Sequence, residues 1–391
     1  PDGNHLEESG GDGGMKWEKK KLCECTEYIT DGDHQPAPKA DKGVHFIKIK
    51  DIVNNQVSFD AQVYVPQEYY DNLPMERKPQ KEDVLYTVVG SFGIPSYVQT
   101  DELFCFERNI ALLHPNKAIE PRFLYYSLKN PAFYKGVEIV ANGSAQKLIP
   151  LSKLKDLKIS VPDKEAQHRI ADILSVYDNL IENNQKQIKL LEEAARRLYK
   201  EWFVDLRFPG HENTKIVDGV PEGWSRGLLK ELISVNYGKD HKKAPDDGNI
   251  PVYGSGGLMR KCNKSLFSGE AVLIPRKGSL NNIMYVDETF WTVDTMFYAT
   301  MKQPHTAVFV YFFVKAFDMY SMNIGAAVPS MTTKILDAMD VVIPDKETLE
   351  KFDKLTKTYF NKIKTLQGQN ERLKIARDLL LAKLMSGEVE V

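Results

Sequence analysis

The strongest constraint on this chain is that it repeats itself. Residues 143–165 read GSAQKLIPLSKLKDLKISVPDKE and residues 325–347 read GAAVPSMTTKILDAMDVVIPDKE, so each position returns 182 residues later without a gap. The register continues through Ile173 and Leu355, Tyr177 and Tyr359, Ile181 and Ile363, Leu191 and Leu373, Ala194 and Ala376, and Leu198 and Leu380. A period this long is a duplicated half-molecule, not the roughly 20–50-residue unit of a solenoid. A fainter echo opens each half: WEKKKLCECTEYITDGDHQPAP from Trp17 and WSRGLLKELISVNYGKDHKKAP from Trp224 share Trp, Leu22/Leu229, Asp33-His34/Asp240-His241 and Ala37-Pro38/Ala244-Pro245. Between these ends the halves diverge, apart from Gly90-Ser91 in VVGS and Gly278-Ser279 in RKGS. The plan is variable, constant, variable, constant.

The constant parts read as helices. Ile170, Leu174, Tyr177, Ile181, Ile188, Leu191, Ala195, Leu198 and Trp202 alternate four and three apart, with Asn184 as the polar break, which is a coiled-coil seam. The second copy carries Phe352, Thr356, Tyr359, Ile363, Leu366, Asn370, Leu373, Arg377, Leu380 and Leu384 at the same phase, so Thr356 and Arg377 leave the symmetry approximate. Pro162-Asp163 and Pro344-Asp345 start the helices, Asp as N-cap, with Glu165 or Glu347 in the first turn facing the positive helix end. About 38 residues at 1.5 Å each make a rod of roughly 55 Å.

The variable parts, 15–150 and 224–335, read as strands and turns: VHFIKI, DVLYTVV, NIPVY, EAVLIP and ETFWTVDTMFYATM are β-branched and aromatic, with Gly, Pro and Asn between them. Short helical runs come after them at 123–130 and 307–317. The expected fold is α/β: two globules of mixed sheet and short helices, separated by two long antiparallel coiled-coil helices, with a pseudo-twofold internal repeat. The segments are a leader at 1–14, globules at 15–150 and 224–335, helical regions at 151–205 and 336–391, and a linker at 206–223.

The 391 residues, 42% hydrophobic and 27% charged, exclude a disordered or fibrous chain. No run approaches the ~18 apolar residues of a membrane span and no signal peptide is evident, so the expected address is the cytoplasm. Cys23, Cys25, Cys105 and Cys262 give one C-x-C and no C-x-x-C pair, which suits reduced thiols and no metal site. No G-x-x-x-x-G-K-[ST] phosphate loop is present, which argues against ATP hydrolysis. Asn130-Pro131-Ala132-Phe133 imitates a methyltransferase base-stacking loop, yet no glycine-rich turn precedes it, and it reads as a turn ending a helix. The paired PDKE segments are helix caps, not nuclease centres, because each opens a heptad helix.

Two unlike globules on two like helices make a pair of readers held apart by a strut, long enough to meet sites more than one turn of duplex apart, since one turn spans about 34–36 Å. In this plan the chain resembles the specificity subunit of type I restriction-modification systems. The resemblance rests on the order of parts, the twin segments GSAQKLIPLSKLKDLKISVPDKEAQHRIADIL and GAAVPSMTTKILDAMDVVIPDKETLEKFDKL, the closing RLYKEWFVDLRFPG and PEGW, and PVYGSGG with VLIPRKGS. It implies two target recognition domains, each reading half of a split site on double-stranded DNA. It also implies two modification (methyltransferase) subunits and restriction (ATP-dependent translocase and nuclease) subunits as partners. S-adenosylmethionine, ATP and Mg belong to those partners, none to this non-catalytic chain. A non-catalytic protein-binding scaffold is the alternative, and exposed apolar patches without a basic face would mark it.

DNA contact needs Lys and Arg for phosphates and Arg, Asn, Gln, Ser or Thr for base edges. The second globule offers Lys239, His241, Lys242, Lys243, Arg260, Lys261, Arg276 and Lys277, with Tyr253, Ser255, Ser279, Asn281 and Asn282 nearby. The first offers His34, Lys39, Lys42 and Ser91, and the segments before the helices add Ser144, Gln146, Lys147, Thr332 and Lys334. His34 and His241 recur as Asp-His in polar loops, where either a ligand contact or a loop-stabilising hydrogen bond is open. With antiparallel helices, Asn184 and Asn370 are expected to face each other and fix register, the alternative being two solvated side chains at a frayed seam.

Overall fold

The computed structural model describes residues 16–141, 147–322 and 330–391, with the side chain of Lys243 left out, so the leader at 1–14 lies outside the described residues. The chain forms two compact units, one running up to Asn183 and completed by Gln369–Val391, the other being Asn184–Gly368. This division cuts across both long helices, because each helix half is claimed by a different core.

In the first unit, Val84–Thr87 is buried along its whole length between Ile110–Pro115 and Pro95–Tyr97, and Thr26–Asp31 completes an antiparallel four-stranded sheet. The run is continuously apolar because both of its faces are covered. Val84 and Tyr86 join the cluster with Phe123, Leu124 and Ile170, while Leu85 joins Ile47, Phe104 and Leu112. A smaller sheet pairs Val44–Ile47 in parallel with Phe104–Phe106 and antiparallel with Tyr64–Val65. Asn130 both ends Pro121–Lys129 and starts Pro131–Val140, its side chain accepting from the N–H of Ala132 at 3.0 Å. The helix stop read from the sequence is therefore also an N-cap.

The second unit is built around Phe267–Pro275, which lies between Met296–Met301 and Met284–Thr292 in a six-stranded sheet. Again the faces alternate: Val272 and Ile274 pack with Phe309 and Phe352, Ala271 and Leu273 with Val252 and Phe290. The sheet is antiparallel except where Ile250–Gly254 runs parallel to Met284–Thr292. ETFWTVDTMFYATM spans the end of Met284–Thr292 and all of Met296–Met301. Residues 206–223, which read as a linker, carry Phe208 and Val220 into this core, with the Phe208 ring 4.9 Å from that of Trp224.

The repeat is visible in the secondary structure. Glu18–Lys21 pairs antiparallel with Lys158–Val161, and Ser225–Leu228 pairs likewise with Asp340–Ile343; Val161 and Ile343, opposite the first residue of each opening strand, stand 182 positions apart. The helices Lys164–Tyr199 and Lys346–Ser386 start where the Pro-Asp pairs predict. Asp163 accepts from the N–H of Ala166 and Asp345 from that of Thr348, both at 2.9 Å. Burial raises the pKa of Asp345, but bonds from Thr348 and from the Trp224 indole outweigh it and hold the carboxyl below its ordinary value.

In the first unit the helix segments run in opposite directions: Ile170 and Leu174 share a core with Leu384 and Leu381, Asp178 meets Arg377, and Asn370 reaches the carbonyl of Ile181. In the second, Ala195, Tyr199 and Trp202 pack with Leu349 and Phe352. No helix among the described residues is long and apolar enough to cross a membrane.

Candidate nucleic-acid interface

The Gly-Ser pairs occupy matching places. Val89 bridges Leu148, and Lys277 bridges Ser330, so the turn in each unit is tied to the segment just ahead of a short helix, Leu151–Asp156 or Thr333–Asp337. Leu148 and Ser330 are 182 residues apart, which places both turns at one position of the repeat. Gly90 and Gly278 have φ of 71° and 87°, a left-handed conformation that glycine adopts without strain. Ser91 and Ser279 are exposed beside them.

Around Gly278 the structure gathers much of the predicted cluster. The hairpin of Ile250–Gly254 with Gly257–Cys262 turns at Ser255-Gly256, and Asn282 Nδ2 donates to the Ser255 carbonyl at 2.9 Å. A Cβ on Gly278 would stand 2.8 Å from Ser255 Oγ, so hairpin and turn are in close contact. Lys277 and Ser279 are exposed on the turn, Lys239 and Lys242 on the loop behind the hairpin, Lys261 on its second strand, and Lys334 on the short helix. Arg276 donates to the Asp294 carbonyl at 3.0 Å and lies over the Tyr237 ring. Lys243 stands in the same loop as Lys242, within His241–Lys243.

Several candidates turn inward and hold these loops. Arg260 donates to Asp246, to the His241 carbonyl and, at 2.6 Å, to that of Ala244, which clamps the 239–244 loop onto the hairpin. Asn281, although exposed, donates to Asp318 at 3.0 Å and accepts from the N–H of Met319 at 2.8 Å, which ties the turn to that segment. Tyr253 donates to Glu288 at 2.5 Å, and burial together with that bond pushes its pKa up. Thr332 caps Thr333–Asp337. Sequence reading could rank these residue types but not the direction in which their donors point.

The first unit's surface is sparser. Exposed Lys147 and Ser91 meet at the Gly90 turn, where the N–H of Gly90 donates to the Lys147 carbonyl at 3.2 Å. The Lys147 ammonium lies over Phe92, whose ring stacks on Tyr134. Exposed Lys39 and Lys42 stand on another loop, bridged at Ala40 to Tyr64. His34 bonds Asp31 at 3.0 Å, which is the loop-stabilising role. Ser144 and Gln146 lie outside the described residues.

The polar positions on the seams are buried. Asn184 and Asn370 are 8% and 5% exposed, and the Asn370 amide donates to the Ile181 carbonyl at 3.4 Å. Thr356 returns its hydroxyl to the Phe352 carbonyl of its own helix. Arg377 meets Asp178, which also accepts from the Tyr126 hydroxyl at 2.7 Å and stands 3.8 Å from Lys129. Burial, against the pull of Asp178, lowers the Lys129 ammonium to about 8.

What the sequence pattern did not reveal is apolar. Leu258 and Met259, at the tip of the hairpin, are 60% and 54% exposed. Tyr320 is also exposed, and its hydroxyl donates to the Gly278 carbonyl at 3.2 Å. The run GSGG before Leu258 was the available signal, since it marks a turn that must lift its neighbours out of the core.

A family model described as the type I restriction modification DNA specificity domain matches residues 15–193 and 221–374. The type I restriction enzyme MjaIX specificity subunit of Methanocaldococcus jannaschii is 26% identical over 71% of this chain and 71% of its own. The HindI specificity subunit of Haemophilus influenzae is 23% identical over 88% of this chain and 94% of its own. Among solved structures, the S subunit of a type I restriction-modification system from M. genitalium matches with a TM-score of 0.59 at 20% identity, covering 97% of this chain and 98% of that one.

Proposed function

Because this chain belongs to the type I restriction modification DNA specificity family, we propose that each of its variable regions reads one half of a split duplex target while its helices carry the catalytic partners. The observation that carries this reading is the pair of Gly-Ser turns. They stand at one position of the 182-residue repeat, on scaffolds of different strand order and with different side chains around them. A shared frame with unlike faces is what two half-sites of unlike sequence require.

The partners would be two modification subunits and the restriction subunits, bringing S-adenosylmethionine, ATP and Mg with them, while this chain supplies recognition in the cytoplasm and no chemistry. Exposed Val176 and Leu180 on one helix, and Ile375 and Leu379 on the other, support a protein partner in the first unit. The finer architecture is an antiparallel coiled coil with pseudo-twofold symmetry, whose length sets the gap between half-sites and whose register Asn184 and Asn370 help to fix.

Within the second unit, Lys277, Ser279, Lys239, Lys242, Lys243, Lys261, Lys334 and Arg276 are the contacts we assign to DNA, with His241, Tyr253, Ser255, Arg260, Asn281, Asn282 and Thr332 positioning them. In the first, Ser91 and Lys147 take that role, with His34, Lys39, Lys42, Ser144 and Gln146 as further candidates. Lys277→Ala is expected to lower affinity for every sequence alike and to flatten the slope of log K against log salt by about 0.9, the value of one released counterion. Salt titrations of the reconstituted complex measure it, and an unchanged slope with altered base preference would assign Lys277 to a base edge instead.

The function itself is tested by reconstituting the chain with the modification and restriction subunits and mapping methylated bases across a genome. The expected motif has two specified halves and a gap of fixed length. A continuous motif would sink the proposal.

A further inference from the structure

We propose that Leu258, at the tip of the second unit's hairpin, reads a thymine in the second half-site through the 5-methyl group of the base. This rests on the reading that the Gly278 face binds duplex DNA, and it names the kind of base that the face selects.

A single exposed leucine is ordinary on a protein surface. Leu258 is different in its support and its surroundings. It comes directly after the turn at Ser255-Gly256, with Gly257 at φ 111°, so the backbone narrows to a tip that carries no bulk ahead of it. The tip is braced from beneath by the bond from Asn282 to the Ser255 carbonyl and by the close fit of Ser255 against Gly278. Met259 lies across Gly254, where a Cβ would come within 2.5 Å of its sulfur, so the second strand is held to the first. The tip therefore presents an exposed apolar side chain on a hairpin that is braced from beneath.

Lysines stand around it: Lys261 farther along the same strand, Lys277 on the turn that the tip packs against, and Lys242 on the loop clamped by Arg260, all exposed. Asp246 is paired with Arg260, and the exposed Asp240 and Asp247 on that loop offset part of its charge, so among the described residues Lys261 and Lys277 are the cations that stand clear of acids. A two-stranded ribbon fits the major groove of B-form DNA, and lysines at its flanks suit the phosphates on either side. Along the floor of that groove every base presents polar atoms, and the thymine methyl is the apolar group that a leucine can cover. Arginine or asparagine at this position would seek guanine or adenine; leucine has nothing to offer them.

The test uses the complex with its modification subunits and duplexes in which each thymine of the second half-site is replaced singly by deoxyuridine, which removes the methyl and nothing else. At one position the wild type is expected to lose about fourfold in affinity, the value of one buried methyl-sized group. Leu258→Ala is expected to bind the thymine duplex more weakly by a similar or larger factor and to make no distinction between thymine and deoxyuridine there. Leu258→Ile, which keeps the apolar volume, should restore the distinction and so separate contact from misfolding. A second half-site with no A·T pair, indifference of the wild type to every deoxyuridine, or a thymine preference that survives in Leu258→Ala would each overturn the proposal. A complex that shows no sequence preference in either half-site would instead overturn the underlying DNA reading.

Discussion

Replacing Arg377 with alanine is expected to destabilise the first unit by about 3–5 kcal/mol, the usual cost of removing one partner from a buried ion pair. The residue sits on a helix seam where a coiled coil ordinarily places an apolar side chain, and it is there for Asp178. Asp178 accepts from Arg377 and from the Tyr126 hydroxyl, with Lys129 nearby. Removing the guanidinium leaves the carboxylate only the Tyr126 hydroxyl and, 3.8 Å away, a lysine whose charge is itself costly to bury. Positions one repeat away show that the frame does not need this pair, since Asp178 corresponds to Phe360 and Arg377 to Ala195. The network is thus particular to the half that joins Tyr126 and Lys129, on Pro121–Lys129, to the long helices.

The same network gives stability a pH dependence with a definite sign. Lys129 falls to about 8 in the folded unit from an ordinary 10.5. Below pH 8 both folded and unfolded chains carry the proton, and the cost of burying it is present in full. From pH 8 upward the folded chain sheds it first, so the unfolded state binds more protons and stability rises. The rise ends near pH 9, where the buried thiols of Cys25 and Cys105, pushed up to about 11 and about 12, begin to favour the unfolded chain by ionising there first, and Tyr86, Tyr125 and Tyr126, all pushed up chiefly by burial, add to the fall from about pH 10. In Arg377→Ala, Lys129 becomes the nearest cation to Asp178 and its pKa climbs, so the gain between about pH 8 and pH 9 should shrink. Urea midpoints of both proteins across that range measure the effect. A wild-type midpoint that falls between pH 7.5 and pH 8.5, or a variant as stable as the wild type at pH 7, would refute the assignment.

The features legible in the sequence were those that depend on local pattern. Pro-Asp pairs announced both long helices to the residue, because proline ends the preceding strand and aspartate caps the first turn of the helix. The four-three spacing picked the buried seam, polar exceptions included: Asn184, Thr356, Asn370 and Arg377 are all buried. The Gly-Ser echo located two equivalent turns, because a left-handed turn has few residues to choose from. Features that depended on distant partners were not legible. The order of strands in the six-stranded sheet, with one parallel pair, is fixed by which faces need covering and not by any strand's own composition. Arg260 has the chemistry of a DNA contact, but its donors are taken up by Asp246 and two carbonyls. Residues 206–223 resemble a linker because their core anchors, Phe208 and Val220, are isolated among polar residues.

Phe352→Ala is the counterpart experiment in the second unit, with an expected cost of about 3–5 kcal/mol. The Phe352 side chain is fully buried, and its ring packs edge-on to Phe203 at 4.8 Å and lies 5.8 Å from Trp202 and 6.4 Å from Tyr199. Those three residues come from the end of the first long helix and its closing turn, while Phe352 comes from the start of the second, so one ring holds both to the core that also contains Val272 and Phe309. Alanine would leave a cavity that three large aromatic rings cannot close without leaving their rotamers. Hydrogen exchange in the full chain should show protection lost in Ile233–Tyr237 and Met296–Met301, whose edge of the sheet rests on this core, before any change in Val84–Thr87 or Ile110–Pro115 of the first unit. Recognition should divide in the same way, with preference in the second half-site degraded first. Equal loss of protection in both units would mean that they unfold as one body, and the two cores would not be separate cooperative units.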